Sequence, residues 1–177
     1  MSAEKRCEIA AEQFQSVFTD DSSDPHQDDR LHGPAYPPIG ELVITDKGVS
    51  ELLAGVNSLK ASGPDEIPCF LIKELPLELA PVIACFFRQS LDTGKLPNPW
   101  CTAWITPVYK KGPCCDAENY RPVSLTCVLS KLMEHILCTH IRTHFDEHSI
   151  LTELNHRSRK KHSCESQLMI TTHDFLS

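Results

Sequence analysis

Apolar residues recur at helical spacing along most of the chain, and this pattern predicts a protein built mainly of helices. The predicted helices cover about residues 4–18, 46–59, 69–75, 77–93, 127–146 and 164 to the last residues. Thr45 or Asp46 is placed to cap the second helix, because short polar side chains bind the free N–H groups of a first turn. Gly94 is placed to end the fourth helix.

Two short segments follow a different pattern. Residues 102–109 and 120–126 are rich in β-branched and aromatic side chains, and a loop containing Gly and Pro separates them. This arrangement predicts a β-hairpin. Pro107 and Pro122 lack a backbone N–H group, so we expect an edge ribbon rather than a central strand pair. The predicted fold class is therefore α+β, mostly helical.

Composition narrows the class of protein. The chain has 177 residues, of which 41% are hydrophobic and 23% charged, and this balance indicates a packed core rather than a wholly disordered chain. No stretch approaches the ~20 apolar residues of a membrane span, and the first residues lack the apolar core of a signal peptide. We therefore expect an intracellular protein of the nucleus or cytoplasm that is neither secreted nor bound to a membrane.

Nine scattered cysteines are an odd number and do not indicate a disulfide framework. Most of them have apolar neighbours in the sequence, which predicts reduced and mostly buried thiols.

The net charge of −7 is unevenly distributed. Residues 1–60 carry five Lys or Arg against eleven Asp or Glu, whereas residues 106–177 carry nine against eight. Residues 20–40 are rich in acid, Ser and Pro, and this composition predicts a mobile spacer rather than a carboxylate metal site. Any anion-binding surface is expected in the last third of the chain.

Metal binding and nucleophilic catalysis are two kinds of candidate chemistry. His140, His144 and His148 are four residues apart, so two neighbours could hold a cation on one helix face. Zinc would need further ligands, and the chain has no CxxC pair. Plain surface histidines are the favoured interpretation. No motif of a Ser or Cys nucleophile is present.

Phosphate binding is the remaining candidate chemistry. Lys110, Lys111 and Arg121 lie on the two arms of the predicted hairpin, where they could converge on a triphosphate or a nucleic-acid backbone. A second basic cluster comprises Arg157, Arg159, Lys160 and Lys161. Spacing alone leaves open that both clusters are solvated charge runs.

Four segments carry a family resemblance. They are GPDEIP (63–68), SLDTGKLPNPWCTAWITPVYKKG (90–112), NYRPVSLT (119–126) and SCESQL (163–168). In order and spacing they resemble the reverse transcriptases of non-LTR (LINE-type, jockey-like) retrotransposons. Family versions read roughly KAxGPDGIP, LPxxWKxAxIxPIxKKG, NYRPISLT and QHGFRKxxSCETQL.

The resemblance implies a fold and a role for the basic residues. It implies incomplete reverse-transcriptase fingers, with one β-hairpin, several helices and no palm. Lys110 or Lys111 and Arg121 would contact the phosphates of the incoming nucleotide. Arg159 would lie in the loop that faces template and nucleotide, with Arg157, Lys160 and Lys161 as possible backbone contacts.

The same resemblance divides the chain into three parts. Residues 1–40 would form an amphipathic helix and an acidic, Pro-rich linker. Residues 41–100 would form a helical region before the fingers, and residues 101–177 the first part of the reverse-transcriptase domain.

Departures from the family pattern limit the expected activity. The Gln-His-Gly-Phe-Arg run of the family reads Asn155, His156, Arg157, Ser158 and Arg159 here, and Cys101 stands where a basic residue is common. Neither catalytic Asp motif falls within the 177 residues, and Asp174 does not match that position.

We therefore expect no catalytic residue, no metal ligand and no cofactor in this chain. RNA template, DNA, dNTP and Mg²⁺ would be partners of the complete family enzyme, with weak or no binding by these residues alone. Two alternatives stay open: a repurposed, non-catalytic module that binds nucleic acid or a protein, and a product that does not fold stably alone.

Overall fold

The computed structural model describes residues 2–17, 36–151 and 163–176. In these residues it contains helices and one strand pair, with the following bounds: α1 (Ala3–Ser16), α2 (Asp46–Ala54), α3 (Cys69–Glu74), α4 (Pro76–Thr93), β1 (Trp104–Tyr109), β2 (Tyr120–Leu125), α5 (Val128–Glu147) and α6 (Cys164–Leu176). Short 3₁₀ turns at Asn98–Cys101 and Ala117–Asn119 were not predicted. The mostly helical α+β class is confirmed.

The described residues fall into two compact units. The first comprises residues 2–17 and Val43–His135, and the second comprises residues 36–42, 136–151 and 163–176. The three-part division made from the sequence stays a prediction. Most of the predicted spacer and the 155–162 basic cluster lie outside the described residues.

The core of the first unit lies where α2 and α3 pack on α4. Its fully buried side chains alternate with exposed ones at helical spacing, as an amphipathic helix requires. They include Val49, Leu53, Cys69, Ile72, Ala84 and Phe87. The Phe87 ring also meets Trp100 edge to face, with ring centroids 5.7 Å apart, so the turn after α4 is held against the core.

Helix α2 begins as predicted and ends earlier than predicted. The Thr45 side chain accepts a hydrogen bond from the Gly48 N–H at 3.1 Å, which confirms the cap. The helix ends before Gly55, and Leu59, expected on its apolar stripe, is 92% exposed. The predicted extension is wrong because the Asn57 side chain accepts from the Leu59 N–H at 2.9 Å and stabilises a turn instead.

The end of α4 follows the prediction. Gly94 adopts a left-handed conformation (φ 64°) and ends the helix, as a residue without a Cβ does at low cost. Earlier in α4, the Arg88 guanidinium donates to the Ile44 carbonyl at 2.8 Å and pairs with Asp46 at 3.2 Å. These bonds join α4 to the start of α2.

The cysteines depart from the expectation of mostly buried thiols. All eight cysteines with described side chains are free, and of these only Cys69 and Cys127 are buried. Apolar neighbours in the sequence did not indicate burial, because Cys85 lies on the outer face of α4, away from Phe87. Cys114 and Cys115 lie in the exposed hairpin loop.

Strands β1 and β2 pair antiparallel, which confirms the hairpin. Pro107 and Pro122 are directly opposite each other. The Lys110 N–H donates to the Asn119 carbonyl at 2.8 Å, so by alternation the proline pair occupies a position without cross-strand hydrogen bonds. The two missing N–H groups therefore cost the ladder nothing and make both outer edges poor templates for a further strand.

Within the described ranges, no helix is long and apolar enough to cross a membrane.

Candidate phosphate-binding face of the hairpin

Lys110 and Arg121 lie on the same face of the hairpin. Val108 is opposite Arg121 in the strand register, and Lys110 is two residues beyond Val108. Side chains two apart along a strand share a face, and residues opposite each other in a pair share it too. Lys111 follows at the start of the loop, outside the ladder. The structure thus brings together two of the three cations that the sequence indicated.

These charges are available to a ligand. Lys110, Lys111 and Arg121 are all exposed. None of them forms an ion pair with a described residue; the pairs found there involve Lys47 and Arg88. The loop also carries Asp116 and Glu118. Segment 110–121 therefore has three positive and two negative side chains. Its net charge of +1 indicates weak attraction for anions.

Gly112 sets the turn that follows the two lysines. It adopts φ 92°, a region that residues with a Cβ rarely occupy. A Cβ at Gly112 would also lie 2.6 Å from the Asn119 side chain. That side chain donates to the Pro113 carbonyl at 2.9 Å and closes the loop on itself. The sequence prediction that Gly112 permits a tight loop is confirmed.

Two tyrosines fix the other face of the hairpin. Tyr109 and Tyr120 are opposite each other, with ring centroids 5.7 Å apart. The Tyr109 hydroxyl donates to the Gly112 carbonyl, and the Tyr120 hydroxyl donates to the Cys114 carbonyl at 3.0 Å. Desolvation, and then the neighbouring Cys114 thiol, raise the pKa of Tyr109, so this hydroxyl stays protonated to a higher pH than an ordinary tyrosine hydroxyl. These bonds hold the loop in one conformation behind the cationic face.

The base of the hairpin is held by the turn at residues 63–68. A Cβ on Gly63 would lie 2.6 Å from both the Cα and the N atom of Cys127, so only glycine fits. The Cys127 thiol in turn donates to the Pro99 carbonyl at 3.2 Å. Three segments that are far apart in the sequence therefore meet at the end of β2. The sequence analysis identified the first of them by its family resemblance and did not predict this contact.

Burial raises the pKa of the Cys127 thiol, and the Asp65 carboxylate adds to this effect, while a backbone hydrogen bond at Asp65 opposes it. Cys127 therefore stays a neutral thiol and acts as a hydrogen-bond donor rather than as a nucleophile.

Glu66 has a positive φ of 54°, which is uncommon for a residue with a side chain. The turn is closed by the Glu66 N–H, which donates to the Gly63 carbonyl at 3.0 Å. The family pattern quoted above has Gly in place of Glu66, and this difference is the sequence signal that indicates a left-handed position.

The three histidines of α5 do not form a metal site. The His140 ring bonds the Gly40 carbonyl at 2.8 Å, and the His148 ring bonds the His144 carbonyl at 3.0 Å. His144 is 9% exposed, so it is not the plain surface residue that was expected. Across the described part of the chain, no three His, Cys, Asp or Glu side chains are grouped to hold a metal ion. These residues do not fit the Mg²⁺ of the complete family enzyme.

The second predicted cluster, formed by Arg157, Arg159, Lys160 and Lys161, lies outside the described residues. Its roles in template and backbone contact stay predictions, as do the roles of Lys110, Lys111 and Arg121.

The known proteins that the chain resembles are RNA-directed DNA polymerases of mobile elements. No protein-family model matches the chain. Over 170 residues, 93% of its length, the chain is 26% identical to the RNA-directed DNA polymerase from mobile element jockey of Drosophila melanogaster, of which it covers 19%. Over 131 residues, 72% of its length, it is 30% identical to the probable RNA-directed DNA polymerase from transposon BS of the same species, of which it covers 14%.

A third relative, the RNA-directed DNA polymerase from mobile element jockey of Drosophila funebris, is 28% identical over 71% of the chain, which covers 14% of that protein. The resemblance to jockey-like, non-LTR reverse transcriptases is therefore confirmed. The chain spans about a fifth or less of the length of these curated relatives.

Proposed function

We propose that the chain is a part of an RNA-directed DNA polymerase of a non-LTR retrotransposon, and that its hairpin is the fingers hairpin that contacts dNTP phosphates and template. The observation that carries this proposal is the shared, exposed face of Lys110 and Arg121. The similarity to the jockey polymerase supports the polymerase context.

The geometry suits phosphate recognition. Arg121 presents a planar guanidinium that can donate two N–H groups to phosphate oxygens, and Lys110 adds a compact ammonium charge beside it. The paired strands and the loop bonds of Tyr109 and Tyr120 hold both backbones before a ligand arrives. Less conformational freedom is then lost on binding.

We propose no polymerisation by these residues alone. Nucleotidyl transfer by polymerases uses metal ions held by Asp carboxylates, and the family's Asp motifs do not occur in the 177 residues. Purified chain, given an RNA template, a primer, dNTPs and Mg²⁺, should give no extended product. An extended primer would overturn this part of the proposal.

Binding of a labelled single-stranded RNA, followed by fluorescence anisotropy at several salt concentrations, tests the hairpin. Lys110→Gln and Arg121→Gln should each weaken binding about threefold or more and lower the salt slope by about 0.7. Lys73→Gln and Lys95→Gln remove exposed cations outside the hairpin and serve as matched controls. Equal effects of hairpin and control variants would contradict the proposal.

The alternative function is a repurposed, non-catalytic module that binds nucleic acid or a protein through its 155–162 segment. The feature that favours it is the group of four cations there, with no acid between them. Replacing Arg157, Arg159, Lys160 and Lys161 by Ala separates the two functions in the same assay. Loss of RNA binding in this variant, with full binding by Lys110→Gln and Arg121→Gln, would favour the alternative and reject the hairpin.

A further inference from the structure

A cavity of about 430 Å³ lies between α1 and the hairpin. Its apolar walls come from Ile9 and Ala10 of α1 and from Pro107 and Ala117 of the hairpin. Tyr120 lines the cavity as well. Its hydroxyl donates a hydrogen bond to the Cys114 carbonyl, and this bond holds the ring in place. A volume of this size, with mostly apolar walls, is within the range of small-molecule sites.

Three thiols open into this cavity. Cys7 is on α1, and Cys114 and Cys115 are adjacent in the hairpin loop. All three are free and exposed. Thiols thus make up three of the ten lining residues, and they come from both sides of the cavity. Cys85, Cys101 and Cys138 are also free and exposed, and none of them lines it.

We propose that this cavity is a covalent modification site for small apolar electrophiles of the α,β-unsaturated carbonyl class. Apolar walls bind the hydrocarbon part of such a molecule, because burial removes its surface from water. Binding then holds the electrophilic carbon beside a thiol and raises its effective concentration there. No described group of side chains is arranged to hold a metal ion, which favours an organic electrophile over a metal as the occupant.

The reaction balances without an oxidant. A thiol of Cys7, Cys114 or Cys115 releases its proton to water, and the thiolate sulfur forms a bond to the β-carbon. The electron pair of the carbon–carbon double bond moves to the α-carbon, which takes one proton from water. One C–S single bond replaces one π bond, and nothing leaves.

A matched pair of maleimides tests the site. N-cyclohexylmaleimide and N-methylmaleimide carry the same reactive ring and differ only in the apolar group. The folded chain is treated briefly with each compound below one equivalent, and labelling of every cysteine is measured by peptide mass spectrometry. Cys85 and Cys138 report the intrinsic reactivity of each compound on the same molecule.

We expect the cyclohexyl compound to shift labelling toward at least one cavity thiol by about fivefold, relative to Cys85 and Cys138, compared with the methyl compound. Ala10→Leu, which fills part of the cavity, should remove this preference while labelling of Cys85 stays unchanged. An equal distribution of label for the two compounds overturns the proposal. A preference that is unchanged in Ala10→Leu, with the variant's circular dichroism spectrum native, overturns it as well.

Discussion

At the residue scale, two positions of the 63–68 turn meet different backbone constraints. Gly63 has no room for a Cβ, because the Cys127 backbone occupies that space. Glu66 has a Cβ in a left-handed conformation, which costs about 1–2 kcal/mol for most residues. Gly63 fits the space that the Cys127 backbone leaves, whereas Glu66 is held in a strained backbone conformation.

Glu66→Gly should therefore be more stable than Glu66→Ala, by about 1 kcal/mol in the free energy of unfolding. Alanine removes the Glu66 side chain and keeps the strained Cβ, so it is the matched control. Urea unfolding followed by circular dichroism measures the difference. Equal stability of the two variants would show that the turn does not strain residue 66.

At the scale of elements, the hairpin shows what sequence patterns predict well. Its strands and its proline-edged character follow from local composition, and the structure has both. The end of α2 was missed because a side-chain bond of Asn57 competes with the helix, and apolar periodicity does not report such a bond. The exposed cysteines of the helices were missed because burial depends on which helix face packs inward, whereas Cys114 and Cys115 lie in the exposed hairpin loop.

The contact between Gly63 and Cys127 joins elements that are 64 positions apart in the sequence. No local pattern predicts such a pair, since the two segments become neighbours only when the first unit folds. The pair of Lys110 and Arg121 is different, because the register of a hairpin fixes which residues share a face. The shared face of Lys110 and Arg121 can therefore be predicted from the sequence once the hairpin is recognised.

Gly63→Ala should destabilise the chain by about 1–3 kcal/mol, because the added methyl group meets backbone atoms that cannot move aside easily. Gly40→Ala is the matched control, since a Cβ there meets nothing within 4 Å and should change stability by less than about 0.5 kcal/mol. Thermal unfolding of both variants gives the comparison. A neutral Gly63→Ala would contradict the close contact at the base of the hairpin.

At the scale of the whole molecule, charge is separated along the chain. The first 60 residues hold most of the net charge of −7, whereas the 110–121 segment is slightly positive. The chain also spans about a fifth or less of the polymerases it resembles. Under the proposed function, the hairpin by itself would therefore bind phosphates weakly or not at all, and strong binding would need further contacts.

Chemical-shift mapping of the isotopically labelled chain during titration with a dNTP tests the central claim most directly, because it detects weak binding and locates it. The account predicts that the largest changes fall on backbone amides of residues 108–112 and 119–123, and that Lys110→Gln combined with Arg121→Gln removes them while Lys73→Gln does not. Changes that are absent from these segments, or that persist in the double variant, would contradict it.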